Sequence, residues 1–199
     1  MKSEFWNERY SMVPNAYGKE PNLFLKECLD GLLPGAILFP CEGEGRNSVY
    51  ACKLGWRSYA FDYSQTAREH AIQFAIENNV KIDYELKQAL EYIPKRMFDG
   101  IAFIFTHYSE ASRKQIHQRL WRSVVPGGHL ILEAFHEDQL NYASGGPRDK
   151  SMLYSLEKLN DDFPKGKILK SEECIINLHE GEFHKGEAAV VRLFMEKLL

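Results

Sequence analysis

From residue 36 onward, short apolar runs alternate with longer segments of helical periodicity, the pattern of a parallel sheet whose strands are joined by crossover helices. The runs Ala36–Pro40, Ser58–Phe61, Ile82–Leu86, Phe98–Phe105 and His129–Phe135 read as strands. Between them, Ser64–Asn78 places Ala67, Ala71, Phe74 and Ala75 on one helical face, and Ser109–Val124 does the same with Ile116, Leu120 and Val124. Ser64 and Ser109 are the expected N-caps, because a hydroxyl there accepts from a free backbone N–H of the first turn. Pro126-Gly127-Gly128 is expected to stop the second helix and turn the chain into the next strand, since proline cannot continue a helix and glycine accepts positive φ. A shorter helix is predicted from about Asn47 to Leu54, ahead of Gly55.

After residue 150 the order changes. A short helix is expected from about Ser155, then strands near Lys167–Ile176 and Ala188–Met195 joined by a polar loop, Leu178–Gly186. So short a connection predicts an antiparallel pair. The stretch Ser144-Gly145-Gly146-Pro147-Arg148 reads as one loop, and neither a repeat nor a linker divides the chain, so residues 1–199 are expected to form a single domain. The fold class is α/β, a doubly wound, mostly parallel sheet with helices on both faces and an antiparallel C-terminal hairpin.

Composition narrows the function. A chain of 199 residues with 44% hydrophobic residues can bury a full core without covalent staples. The charge of −3, from 25 Lys+Arg against 28 Asp+Glu, argues against a protein that coats a polyanion. No apolar run approaches the roughly 18 residues that span a bilayer, and Glu4 and Glu8 stand where a secretory leader would be apolar, so a cytoplasmic protein is expected. Cys28, Cys41, Cys52 and Cys174 show no C-x-x-C pairing and predict neither a zinc site nor a disulfide framework; His179 and His184 near Cys174 fit no standard metal spacing.

The candidate chemistry begins where the first strand runs into Cys41-Glu42-Gly43-Glu44-Gly45-Arg46-Asn47 and a helix. Strand, glycine-rich turn and helix N-terminus present backbone N–H groups at the carboxyl edge of a sheet, where a nucleotide or carboxylate approaches closely. Asp62 ends the second strand seventeen positions beyond Gly45, where a carboxylate can accept from both hydroxyls of a ribose. Two readings are compatible with that geometry, a dinucleotide-dependent dehydrogenase and an S-adenosylmethionine (SAM) methyltransferase. Ser48 in the place of the third glycine of G-x-G-x-x-G weakens the first.

The series Gly43-Glu44-Gly45-Arg46-Asn47, Ala60-Phe61-Asp62-Tyr63-Ser64, Phe98-Asp99-Gly100-Ile101 and Val125-Pro126-Gly127-Gly128-His129-Leu130 resembles the motif order of the Rossmann-like SAM-dependent methyltransferases. Trp6-x-x-Arg9-Tyr10 and Tyr17-Gly18-Lys19-Glu20-Pro21-Asn22 at the front are similar to the tellurite-resistance methyltransferase group, as are Glu180-Gly181-Glu182-Phe183-His184-Lys185-Gly186 and Val190-Val191-Arg192 at the tail. Phe39 and Cys41 depart from that pattern, standing where relatives carry an acidic residue and a first glycine.

The resemblance implies a seven-stranded sheet with a lid in residues 1–30, a SAM-binding core in 36–135 and an acceptor side in 136–199. It implies Tyr10, Glu42, Gly43, Gly45, Asn47, Asp62, Tyr63, Gln88, Ala89 and Thr106 as cofactor-binding residues, Glu42 holding the ammonium, Asp62 the ribose and Gln88 with Ala89 the adenine. For the acceptor it implies His107, His184 and Arg192, with Lys185 beside them, as cationic donors to a small anionic or soft nucleophile such as a tellurium or selenium oxyanion or a thiolate. A neutral oxygen or nitrogen acceptor would instead need a base, for which His107 is the expected group. Thr106-His107-Tyr108-Ser109 lacks a Pro-Pro-aromatic grip for a flipped base, so no nucleic-acid substrate is expected. A nucleotide-dependent oxidoreductase and a SAM-binding regulator without turnover are the competing readings. The sequence leaves the oligomeric state open.

Overall fold

The computed structural model describes residues 3–199; the first two residues of the expected lid segment lie outside the described residues. In chain order the elements are α1 (Ser3–Met12), α2 (Leu23–Leu29), β1 (Ala36–Pro40), α3 (Arg46–Lys53), β2 (Arg57–Asp62), α4 (Gln65–Glu77), β3 (Asp83–Leu86), β4 (Phe98–Ile104), α5 (Glu110–Arg122), β5 (Val124–Phe135), α6 (Leu156–Leu159), β6 (Gly166–Glu180) and β7 (His184–Lys197), with short 3₁₀ turns at Glu137–Asn141 and Lys150–Met152.

The strands form one sheet in the order β3-β2-β1-β4-β5-β7-β6. The first five strands are parallel and β7 inserts antiparallel between β5 and β6. This is the Rossmann-like α/β architecture. Every residue of β1 is buried, as befits a central strand covered on both faces. Alternation sends Leu38 to the layer with Phe103, Leu120 and Trp121, and sends Ile37 and Phe39 to the layer with Phe24, Val49 and Ala71, so α5 lies on one face and α2, α3 and α4 on the other. The chain winds outward in both directions from β1 and β4, and the crevice at the carboxyl ends of those two strands is where such a sheet takes a ligand. Among the described residues, no helix is long and apolar enough to cross a membrane.

Ser64 caps α4 as its sequence predicts, its hydroxyl accepting from Ala67 N–H at 3.1 Å. Three other expectations change. Ser109 precedes α5, but its hydroxyl pairs with Ser112 Oγ at 2.7 Å instead of capping the backbone. The Pro126-Gly127-Gly128 turn does not end α5, which stops four residues before the proline, where Ser123 Oγ donates to Leu120 O at 2.6 Å. Val124 already pairs with Phe98, and the proline and glycines form a bulge inside β5, with Gly127 at φ 79°.

The hairpin is also longer than its polar sequence indicates. β6 and β7 stay paired to Glu180↔His184, leaving only residues 181–183 as the turn where a loop over Leu178–Gly186 was expected. A two-faced edge strand carries polar side chains along its open face, which makes it read as loop. Gly181 sits at φ 70°, and a Cβ there would lie 2.5 Å from both Ala16 O and Gly18 N. Glu182 N–H donates to Ala16 O at 3.1 Å. Glycine at this turn therefore lets the tail dock on the loop between α1 and α2, placing the two ends of the chain around one crevice.

Candidate functional site

A cavity of about 590 Å³ opens at the carboxyl edge of the sheet. Its floor is the turn from β1 into α3. Glu42 Oε1 accepts from Ser48 N–H at 2.6 Å, so this carboxylate caps the first turn of α3 while facing the cavity. Burial pushes its pKa up to about 7 against the opposing pull of N–H groups from Ser48 and Asn47. Asp62 lies buried at the end of β2, accepting from Gly43 N–H at 3.2 Å and Ser64 N–H at 2.9 Å. Burial raises it to about 6, again against backbone donors. Two bonds on two oxygens leave it further acceptor capacity.

Gly43 needs its missing side chain. Its φ is 66°, and a Cβ would lie 2.8 Å from Tyr10 Oη. Gly45 is different: it does not line the cavity, and a Cβ there would press to 2.9 Å on Ala71 Cβ of α4. Its expected cofactor contact is thus corrected to a packing role, letting α3 and α4 approach. Cys41 adopts φ 51° at the head of the turn, with Sγ 3.4 Å from Tyr108 Oη; burial lifts its thiol to about 12, so it is a protonated, unreactive group.

The walls come from two more strand ends and from α1. Beyond β3, Gln88, Ala89 and Leu90 line the cavity, held from outside by Arg119 of α5, whose guanidinium donates to the carbonyls of Ala89 and Leu90. β4 ends one residue before the predicted Phe105, which turns to φ 50° with its N–H on Glu133 O. That turn brings Thr106, His107 and Tyr108 to the cavity. Thr106 Oγ1 is buried there with no partner. From above, α1 contributes Phe5, Trp6, Arg9 and Tyr10, with Trp6 stacked on Tyr10 at 5.7 Å between ring centres. Tyr10, Glu42, Gly43, Asn47, Asp62, Tyr63, Gln88, Ala89 and Thr106 thus meet in one cavity.

On the other side, sequence and structure diverge. His107 lines the cavity, but Nδ1–H donates to Met152 O at 2.8 Å and Nε2 accepts from Phe135 N–H at 3.4 Å. Both nitrogens are committed to backbone, and burial lowers the pKa to about 4. Neither the cationic donor nor the base expected of His107 is therefore available. His184 is buried against Tyr17, Phe105 and Phe135, its pKa lowered by burial, and is neutral too. Arg192 is absent from the cavity wall. It pairs with Glu133 and, at 3.1 Å, with Glu172, under the ring of Phe24. Lys185 points to solvent across from His179 and does not line the cavity. The expected anion-binding group of four is corrected to two neutral rings and two outlying cations, because alternation along β7 turns Lys185 to the face opposite His184, while Arg192, on the face of His184, lies eight residues further along the strand beside Glu133.

Several residues that sequence reasoning missed organise the site. Glu44 accepts from Asn15 and Ala16 N–H at 2.8 Å each and meets His70 Nδ1 at 2.8 Å, pinning the loop after α1. Buried Asn22 donates to Glu133 at 2.6 Å and Glu180 at 3.1 Å, and Arg46 reaches Glu180 at 2.8 Å. Arg9 donates to Tyr17 Oη at 2.9 Å, and Arg148, from the loop read as plain connection, lines the acceptor side. The Glu-Pro-Asn and tail motifs carried a signal for this network; Glu133, Arg119 and Arg148 carried none. Among the described residues, no cluster of three or more His, Cys, Asp or Glu side chains could hold a metal.

Residues 41–132 match the model of the methyltransferase domain family. Comparison with curated proteins finds no match. The fold superposes on TehB from Haemophilus influenzae with a TM-score of 0.76 at 16% identity, over 96% of this chain and 67% of that one. It is also similar to the N-methyltransferase NodS from Bradyrhizobium japonicum WM9 in complex with S-adenosyl-L-homocysteine, with a TM-score of 0.69 at 13% identity over 98% and 99% of the two chains. A SAM-dependent methyltransferase from Clostridium acetobutylicum gives 0.64 at 12% identity, over 100% and 93%. At these identities the likeness is one of fold. The domain match runs from the glycine turn through most of β5 and covers 92 of the 199 residues.

Proposed function

We propose that this protein is a SAM-dependent methyltransferase acting on a small molecule. The observation that carries the reading is one cavity in which two carboxylates, a glycine turn, an unpartnered hydroxyl and an aromatic wall converge at the switch point of the sheet. These groups fit SAM. Asp62 accepts from the ribose hydroxyls, Glu42 faces the ammonium, Gly43 gives backbone clearance, and Thr106 Oγ1 finds its missing partner. Gln88 and Ala89 face adenine, and Tyr63 and Asn47 close the wall. Trp6 and Tyr10 offer π faces to a positively charged sulfur and shield the site from water.

When bound, SAM supplies a methyl group already activated by that sulfur. The chain's task is then to hold an acceptor close and aligned. Likeness to TehB, with the front and tail motifs, supports the tellurite-resistance group. Within it, a soft nucleophile such as a thiol is favoured over a tellurium or selenium oxyanion, because His107 and His184 are neutral, Arg192 is already paired, and Arg148 on that wall is exposed to solvent, which screens its charge. A neutral small-molecule partner also agrees with the mild overall charge.

Calorimetry tests the reading: SAM and S-adenosylhomocysteine should bind the folded protein at micromolar or tighter affinity, and NAD(H) should not. Binding of NAD(H) alone would favour the oxidoreductase. SAM binding with no labelled product from tellurite, selenite or a panel of thiols would favour a regulator without turnover.

A further inference from the structure

His184 stands at the meeting of β7 with the cavity, and its surroundings resolve its two nitrogens. Nδ1 lies 3.2 Å from Glu180 Oε2. A carboxylate accepts, so Nδ1 carries the proton and Nε2 keeps its lone pair. Among the described residues Nε2 has no hydrogen-bond partner, and the ring lines the cavity. Glu180 is in turn fixed from two sides, by Arg46 at 2.8 Å on the same oxygen and by Asn22 at 3.1 Å on the other. Against the burial that would raise it, the His184 imidazole and the Arg46 guanidinium hold its pKa down, to about 2. The charged and titratable groups facing His184 are Glu180 from β6, Arg46 from α3, Arg9 from α1, Tyr17 from the following loop and His107 after β4.

Resting on the methyltransferase reading, we infer that His184, oriented by Glu180, is the proton acceptor for a protic nucleophile carried on an apolar, aromatic body. Trp6, Tyr17, Phe105 and Phe135 receive the body. The acceptor's X–H bond breaks with its proton moving to His184 Nε2, while the X lone pair forms the bond to the methyl carbon. The carbon–sulfur pair stays on sulfur, and the imidazolium, stabilised by Glu180, releases its proton to solvent. Glu180 is a positioning residue, since it touches His184 and not the reacting atoms. The other cavity histidine cannot substitute, both its nitrogens being held by backbone.

The test compares two thiols of similar body. 2-Phenylethanethiol is protonated at neutral pH and needs a base, whereas thiophenol is largely ionised and does not. His184→Gln should lower turnover of the first at least 100-fold and of the second less than 10-fold, with SAM affinity by calorimetry within threefold of wild type. Glu180→Gln should lower turnover of the first about 10-fold and move the acid limb of its pH profile to lower pH, because a carboxylate raises the pKa of its imidazole. Long-range proton–nitrogen spectra of the wild type should show His184 protonated on Nδ1. Equal losses on both thiols, protonation on Nε2, or no turnover of either thiol by wild type that binds SAM would overturn the inference. Wild type that fails to bind SAM at all would instead sink the methyltransferase reading itself.

Discussion

The two halves of the cavity are built on opposite electrostatic plans. On the half proposed for the cofactor, the carboxylates of Asp62 and Glu42 are held by backbone N–H groups and face the cavity with raised pKa values of about 6 and 7. On the half proposed for the acceptor, the buried charges are cancelled within the protein, Glu133 by Arg192 and Asn22, Glu180 by Arg46, and the histidines by burial, while Arg148 stays exposed at the rim. The first plan leaves acceptor capacity for a ligand that brings hydroxyls and positive charge. The second leaves aromatic faces, one imidazole lone pair and the exposed Arg148 guanidinium at the rim. A charged residue near a site is therefore informative only once its partner is known, because a buried carboxylate beside an arginine consumes the charge that sequence assigns to a substrate.

Arg192 puts the sharpest strain on this contrast. Arg192→Met strands Glu133, whose carboxylate is almost fully buried, and should destabilise the fold by about 3 kcal/mol, read as a fall in Tm of roughly 6–12 °C. SAM affinity of the folded fraction should stay within twofold. Lost turnover at unchanged Tm would return Arg192 to the acceptor site. Asp62→Ala should weaken SAM binding about 100-fold, near 2.7 kcal/mol, the loss of two charge-assisted hydrogen bonds; calorimetry showing less than a fivefold change would empty the cofactor half of its central group.

Titration separates the halves next. Binding of a ligand with hydroxyls and an ammonium favours the ionised forms of Glu42 and Asp62, so binding releases protons and the SAM Kd should rise as pH falls through 7 and then 6, about tenfold between pH 8 and 5.5. Glu42→Gln should flatten the upper part of that curve, and an unchanged slope would remove Glu42 from the ammonium subsite. The smallest effect is expected at Arg119, which touches only the carbonyls behind Ala89 and Leu90. Arg119→Gln should raise KM for SAM roughly threefold with kcat unchanged; a fall in kcat instead would tie that wall to the acceptor half.

How legible each half was follows from how it is built. The glycine turn, Asp62, Gln88 and Thr106 sit directly after apolar runs, and strand ends in a parallel sheet share one edge, so finding the strands located them. Phe105 and the bulge at Pro126-Gly127-Gly128 escaped because each is a backbone kink, one just past the end of β4 and the other inside β5, set by the pairing of those two strands. Ser109 escaped because a nearby hydroxyl competes for it. On the half proposed for the acceptor, the paired strands β6 and β7 were visible, but their polar ends read as loop, and which of His184, Lys185 and Arg192 reaches the cavity depended on how far the pairing carries each along the sheet.

The sequence by itself determined the α/β frame, the order of its strand ends and the two carboxylates that face the cavity, because apolar periodicity and local turn chemistry act over a few residues. Only the tertiary structure decided which charges are spent. Glu133 meets Arg192 across 59 positions and Arg46 meets Glu180 across 134. Ion pairing and desolvation act through space, and they set whether a histidine or arginine of this chain faces an acceptor as a cation, a base or not at all.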